Sequence, residues 1–335
     1  MRIVIPDDYQ DCVRTLDCFG KLDGHEVRIF NDTVKSIDEL AARFADAEAI
    51  VLTRERTRID AALLERLPGL RLISQTGKLA GHVDLAACTA RGVAVAEGSG
   101  AGSATAELTW ALTLASRRRL VEEATRLRQG RWQGHLGQQL GGQRLGVWSY
   151  GRIGRQVAAY GRTFGMKVWV WGREGSTSAA RADGFEVAPS REAFFAQSDV
   201  ISLHVRLNEH TRGMVSDEDL ARMKTSALLV NTSRAELVAP GALERALVAG
   251  RPGFAAVDVF EEEPVRPDEH PLLHLPNALC TPHIGYVERD NYERYFGIAF
   301  DHVNAFAAGR LKEALNPSVL RPAGKREVQR PCSPG

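Results

Sequence analysis

Three residues able to do acid–base or anion chemistry each follow an apolar run in the last third of the chain. "LLVNTSRAELV" carries Arg234, "AAVDVFEEEP" carries Glu263 five residues past Asp258, and "LCTPHIGY" carries His283. Each apolar run predicts a strand with its charged residue at the carboxyl end, where open parallel sheets collect their ligands. The three types form a set suited to reduction of a 2-oxo acid. An arginine fork holds a carboxylate and polarises the neighbouring ketone. A histidine exchanges a proton near neutral pH, and a glutamate beside it stabilises its cationic form.

A second stretch suggests what supplies the hydride. "GVWSYGRIGRQVAAYGRTFGMKVWVWGRE" predicts a strand, a tight turn, a helix and another strand over 146–174. In a dinucleotide fingerprint one glycine allows the turn, a second lets the backbone approach the pyrophosphate, and a third lets helix and strand close together. The register here is Ser149-Tyr150-Gly151-Arg152-Ile153-Gly154, with serine in the first place. That predicts a perturbed turn rather than a lost site, with the helix N-terminus facing a phosphate. After the strand the selectivity place falls on Gly172 or Arg173, where an acidic residue would hold the ribose of NAD. Arg173 can instead fork onto the 2′-phosphate of NADP, or lie solvated or stacked on adenine. The pair Gly172-Arg173 leans the cofactor NAD(P) toward NADP(H) and leaves NAD(H) open. Ser176 and Thr177 offer further hydroxyl donors.

The elements that must position these residues alternate along the whole chain. Strand-like "RIVIP", "HEVRIF", "EAIVLT", "RLISQTG" and "VAVAEG" are separated by helix-like segments, among them "SIDELAARFADA" with Ser36 at its N-cap. A second series runs from "QRLGVWSY" to "ALCTP". This predicts an α/β protein with two doubly wound parallel sheets. "SATAELTWALTLASRRRLVEEATRLRQGRW" (103–132) reads as one long helix, apolar enough in its first half to bury itself against another domain or subunit. The helix over 292–310 no longer feeds a strand and is expected to return to the first domain. The expected domains are therefore 1–102 plus 286–321, then 103–285, with a flexible tail over 322–335.

Composition bounds the class. The chain has 335 residues, 44% hydrophobic and 25% charged, with a formal net charge of +1. That argues for ordinary cores and against a nucleic-acid or membrane partner. No run of about 18 apolar residues occurs, and the N-terminus lacks the pattern of a signal peptide. Cys12, Cys18, Cys88, Cys280 and Cys332 are scattered without metal spacing and read as reduced thiols of a cytoplasmic protein. The histidines outside "TPHIG" lack ligand spacing, so no metal is expected.

Taken together, "SYGRIGRQVAAYGRTFGMKV", "LVNTSRAELV…GALERAL", "DVFEEEP" and "TPHIG" resemble the D-isomer-specific 2-hydroxyacid dehydrogenase family over nearly the whole chain. The resemblance implies a flavodoxin-like substrate domain and a Rossmann dinucleotide-binding domain with the cofactor in the cleft. It implies hydride transfer between NAD(P)H and a small anionic 2-oxo acid, giving its D-2-hydroxy acid. It carries substrate binding to Arg234, acid–base catalysis to His283 and the orienting carboxylate to Glu263. Asp258 matches an aspartate near cofactor and histidine. His204 and Val205 match the cofactor-contacting loop, and Thr105, Thr232 and Gly285 join the cofactor contacts. The family's substrate-carboxylate loop reads "SQTGKLAGHVD" here, so Thr76, Gly77 and Lys78 would hold the anion through backbone N–H groups. Lys78 stands where small residues are usual and would enlarge the positive field. Arg54 falls where a basic residue meets phosphate in the phosphoglycerate branch; alternatively it pairs with Glu55 or Asp60. Tyr286, in place of a small residue, would narrow the pocket or bond substrate. Family members are usually homodimers joined through the long helix. Two rivals follow from the same resemblance: a dinucleotide-sensing, corepressor-like binding protein, and a phosphite-type dehydrogenase. Glu263 argues against a formate enzyme, which uses Gln–His.

Overall fold

Short apolar runs bounded by glycine, proline or acidic residues form the strands, and amphipathic stretches between them form the helices. The computed structural model describes residues 1–100, 102–266 and 268–320; the expected tail over 322–335, with Cys332, lies outside the described residues. The first hundred residues hold β1 (Arg2–Ile5), β2 (Glu26–Ile29), α1 (Ile37–Phe44), β3 (Ala49–Leu52), α2 (Ala61–Glu65), β4 (Leu72–Gln75), α3 (Leu85–Ala90) and β5 (Ala94–Glu97). Next come α4 (Ser103–Arg118), α5 (Leu120–Arg128), β6 (Arg144–Trp148), α6 (Arg152–Thr163), β7 (Lys167–Trp171), α7 (Glu174–Ala182) and β8 (Glu186–Val187). The series continues with α8 (Arg191–Gln197), β9 (Val200–Leu203), α9 (Asp217–Arg222), β10 (Leu228–Asn231), α10 (Ala242–Val248), β11 (Phe254–Val257) and β12 (Ala278–Cys280). The last α-helix is α11 (Arg289–Ala307).

The chain divides into two units, Met1–Gly100 with Arg289–Gly335, and Ala101–Glu288. Tyr286 therefore belongs to the second unit, not to the first as expected. The first unit has a five-stranded parallel sheet in the order β2-β1-β3-β4-β5, the flavodoxin-like order. One face is covered by α1, α2 and α3 through Leu40, Phe44, Leu63, Leu64 and Cys88. Phe296, Ala299 and Phe300 of α11 are buried, and the Ser74 hydroxyl of β4 donates to the Ala299 carbonyl at 3.0 Å. Each buried phenylalanine contributes about 1.5–3 kcal/mol.

The second unit has a seven-stranded parallel sheet in the order β12-β11-β10-β9-β6-β7-β8. The order reverses between β6 and β9, so the turn after β6 opens at a topological switch point. Cores on both faces include Phe194, Phe195 and Trp148 in one, and Val147, Val157 and Trp110 in the other.

The long stretch over 103–132 is not one helix. Arg119 takes φ 52°, which ends α4 and starts α5, and α5 stops at Arg128. The apolar face of α4 also finds a different partner from the one expected. It lies against β10, β11 and α6 of its own unit, with Ala106, Trp110 and Leu112 in the core.

Candidate active site

In the second unit, β12 hands over to Thr281-Pro282-His283. His283 adopts φ 49°, a left-handed conformation costing on the order of 1–3 kcal/mol for a non-glycine residue. Asp258, fully buried at the end of β11, holds this turn. Its Oδ1 accepts the Thr281 hydroxyl at 2.6 Å and the Ile284 amide at 2.8 Å, and its Oδ2 accepts the Gly285 amide at 2.8 Å. Burial pushes the Asp258 carboxyl up from its usual range, against the pull of these donors. A Cβ at 285 would approach Asp258 Oδ2 to 3.0 Å, so a larger residue there would crowd the carboxylate that holds the turn.

The turn presents His283 Nδ1 to Glu263 Oε2 at 2.6 Å. Glu263 Oε1 accepts the Phe260 amide at 3.0 Å, so both carboxylate oxygens are fixed. An ionised carboxylate only accepts, so Nδ1 carries the proton in this bond and Nε2 is left for a reacting group. The buried Tyr286 ring meets the imidazole edge-on at 5.3 Å. Arg234 follows β10 in an equally knitted loop. Asn231 Nδ2 donates to the Arg234 carbonyl at 2.9 Å, and the Ser233 hydroxyl donates to the Val205 carbonyl at 2.7 Å. Burial pushes the neighbouring His204 imidazole down to about 4, which keeps it neutral beside Ser202.

The nucleotide turn has the space a dinucleotide needs. At Gly151 an added Cβ would meet nothing within 4 Å, so the approach to the N-terminus of α6 is open. At Gly154 an added Cβ would land on the Ser149 carbonyl oxygen, so helix and turn close only around glycine. Ser149 itself takes φ 78°, a left-handed conformation that favours glycine, with its amide on the Trp171 carbonyl at 2.7 Å. Ser149→Gly is expected to relieve about 1 kcal/mol net of backbone strain and raise the thermal midpoint by about 2–4 °C. An unchanged midpoint in calorimetry would show that serine is unstrained there.

Three expected cofactor contacts are engaged elsewhere. The Tyr150 amide donates to Ser176 Oγ at 3.2 Å and its hydroxyl to Asp183 at 2.9 Å. Thr232 Oγ1 lies 2.7 Å from Thr109 Oγ1, and the Thr105 hydroxyl donates to the Gly285 carbonyl at 2.8 Å. Arg152 is exposed beside Gly102, and Ile153, in the first turn of α6, packs against the core. At the selectivity place, Gly172 lies close to Ser176: a Cβ would come within 3.2 Å of the serine Cβ. Arg173 caps α7, is exposed, and makes no side-chain hydrogen bond or ion pair among the described residues. Thr177 is lost as a donor because its hydroxyl bonds the Glu174 carbonyl at 3.1 Å. The Glu174 carboxylate is turned back onto Ser178 at 2.5 Å and Arg181 at 3.6 Å.

In the first unit, Arg54, Thr76 and Gly77 come together after β3 and β4. Arg54 takes φ 55°, its amide donates to Thr76 Oγ1 at 2.9 Å, and its guanidinium lies 3.6 Å from Glu55 and over the Tyr295 ring. Asp60 pairs instead with Arg58 at 3.6 Å. Two expectations for this loop need correction. The Thr76 amide is not an anion holder, since it donates to the Leu52 carbonyl at 3.0 Å. The amides of Gly77 and Lys78 have no acceptor among the described residues and remain able to serve. Lys78 adds little net field, because its ammonium pairs with Glu97 at 2.6 Å. No cluster of three metal-ligating side chains occurs among the described residues. No helix among them is long and apolar enough to cross a membrane.

The chain is similar to known proteins over most of its length. The family model for the NAD binding domain of D-isomer specific 2-hydroxyacid dehydrogenases matches residues 110–285. A glyoxylate reductase from Aeropyrum pernix is 37% identical over 291 residues, covering 84% of this chain and 85% of its own. An oxidoreductase structure from Ralstonia solanacearum is 53% identical with a TM-score of 0.93, covering 96% of this chain and 98% of that one. A phosphoglycerate oxidoreductase from Vibrio cholerae is 49% identical with a TM-score of 0.90, covering 92% and 99% respectively.

Proposed function

The chain belongs to the D-isomer-specific 2-hydroxyacid dehydrogenases, NAD-dependent oxidoreductases of 2-oxo and 2-hydroxy acids, and we propose that it reduces a small anionic 2-oxo acid to its D-2-hydroxy acid. The observation that carries this reading is the 2.6 Å pairing of His283 Nδ1 with a Glu263 carboxylate fixed at both oxygens. A nicotinamide dinucleotide held at Gly151 and the N-terminus of α6 would supply the hydride for the substrate's C2. His283 Nε2 delivers the proton to the developing alkoxide, and in the reverse direction takes it back. Glu263 holds the ring in one orientation and balances its charge. Arg234 grips the carboxylate and polarises the ketone with its fork. The Gly77 and Lys78 amides supply further anion donors, Arg54 adds positive charge, and Tyr286 buttresses the imidazole. Asp258 shapes the histidine turn.

The open approach at Gly151 and the close packing at Gly154 support binding of the pyrophosphate at the N-terminus of α6. We assign the preference to NADP(H), with Arg173 and the Ser176 hydroxyl on the 2′-phosphate. Supporting this, Glu174 is turned back onto its own helix and Arg173 is uncommitted. A homodimer is the proposed assembly. Leu120, Leu127, Trp132 and Leu136 leave large apolar surfaces exposed along α5 and the segment after it, Leu136 at 98%. The four described cysteines are free thiols, in keeping with a cytoplasmic enzyme.

The test is a set of initial rates with NADH and NADPH in parallel, against glyoxylate, hydroxypyruvate, pyruvate, phenylpyruvate and 2-oxoglutarate, with NADP+ plus phosphite as a separate arm. NADPH is expected to give the larger kcat/KM, and Arg173→Ala to lower it about tenfold while leaving NADH rates near wild type. Equal loss with both cofactors would remove Arg173 from the 2′-phosphate. Binding of both cofactors without turnover of any oxo acid would favour a dinucleotide sensor, and turnover of phosphite alone a phosphite dehydrogenase.

A further inference from the structure

We propose that Thr109, in the middle of α4, is a positioning residue that sets the Arg234 loop against the His283 loop. The inference rests on the roles given above to Arg234 and His283. One face of α4 is polar at every fourth residue: the half-buried Thr105 and the buried Thr109, Thr113 and Arg117. Such spacing puts all four on one helix face. The Thr113 hydroxyl bonds the Thr109 carbonyl at 2.7 Å, and Arg117 bonds the Ser226 carbonyl and Gln138 Oε1, each at 2.6 Å. Thr113 stays within its helix and Arg117 serves the amino end of β10; Thr105 and Thr109 serve the carboxyl end of the sheet.

A hydroxyl has one proton, and that fixes the direction of the chain of bonds. Thr109 gives its proton to the Thr105 carbonyl at 2.7 Å. Its oxygen, 2.7 Å from Thr232 Oγ1, is then the acceptor and Thr232 the donor. Thr109 is fully buried and Thr232 is 7% exposed, so water does not replace either partner. Thr232 lies between Asn231, which ends β10, and Ser233-Arg234. One turn back along α4, the Thr105 hydroxyl holds the Gly285 carbonyl at 2.8 Å, two residues from His283. The strands feeding these loops, β10 and β12, are separated by β11 and share no ladder. The α4 face is therefore a direct brace between them. Arg234 and His283 must grip adjacent atoms of one small substrate, where a shift of about 1 Å costs on the order of a hundredfold in rate.

Thr109→Val keeps the shape and removes the hydroxyl; Thr109→Ser keeps the hydroxyl. Thr109→Val is expected to lower kcat about tenfold. The Kd for reduced cofactor, read by fluorescence, should change less than twofold. Thr109→Ser should retain at least half the wild-type kcat. Thr232→Val cuts the same bond from the other side, so it should match Thr109→Val, and the double variant should be no slower than either. This second route keeps the idea testable where Thr109→Val does not fold. Equal kcat for the valine and serine variants, or additive losses in the double variant, would overturn the brace. His283→Ala and Arg234→Ala in the same assay separate the two levels. If they are inactive while Thr109→Val is fully active, only the brace fails; if they turn over normally, the underlying roles fail.

Discussion

His283→Ala is expected to lower kcat for 2-oxo acid reduction by about a thousandfold, with little change in KM. General acid catalysis from a positioned side chain contributes roughly 10²–10⁴ in rate. This histidine is positioned with unusual commitment: it sits at φ 49°, on a turn held by three donors to Asp258, with Nδ1 fixed on Glu263 at 2.6 Å. That backbone strain is sustained to aim Nε2, so removing the ring removes what the turn exists to present. Glu263→Gln separates orientation from charge. An amide still reaches Nδ1 but does not balance an imidazolium, so a smaller loss, about tenfold to a hundredfold, is expected. Stopped-flow measurement of nicotinamide absorbance checks both variants. A loss under about tenfold for His283→Ala would take the proton transfer away from this residue.

The second large effect falls on Arg234. Arg234→Ala is expected to lower kcat/KM by about a thousandfold, from loss of two charge-assisted bonds at roughly 1.5–3 kcal/mol each. Arg234→Lys keeps the charge but not the planar fork, and should recover at most about a tenth of wild-type kcat/KM. The guanidinium donates to the Ser233 carbonyl at 2.7 Å, while two further ties of this loop do not depend on it: Asn231 bonds the Arg234 carbonyl and Ser233 bonds Val205. Both variants should therefore stay within about 4 °C of the wild-type thermal midpoint, the change expected from loss of one such bond. Lysine as active as arginine would mean that a point charge suffices and that the ketone is polarised by another group.

Much of this site was legible because its residues follow strands whose apolar runs are unmistakable. A parallel sheet buries both faces, so "LLVN", "FAAV" and "VISL" read as strands without any alternation, and the carboxyl ends follow from chain direction. Arg234, Glu263 and His283 then stood out by chemical type. What was not legible has physical reasons. Serine, arginine and leucine are all good enough helix formers that nothing in "SRRRLVEE" marks the break at Arg119, which only its positive φ reveals. Thr109 reads as one β-branched residue inside an apolar helix, and its partner Thr232 is 123 residues away. Lys78 looked like free positive charge until β5 brought Glu97 beside it. The Thr76 amide looked available because a sequence does not show which carbonyl, here that of Leu52, lies across the strand ladder.

The first unit is written in two pieces, with the whole second unit between them. On a ribosome, β1 to β5 and α1 to α3 are made long before α11. The sheet can cover one face at once, but the face that receives Phe296 and Phe300 stays bare until the second unit has been translated. At roughly 5–20 residues per second that wait is about ten to forty seconds. The Rossmann unit, contiguous from Ala101 to Glu288, has all its strands in hand before α11 exists to cover the first sheet. The amino-terminal unit is thus the last to finish, and the newborn chain carries a bare apolar sheet face for most of its synthesis.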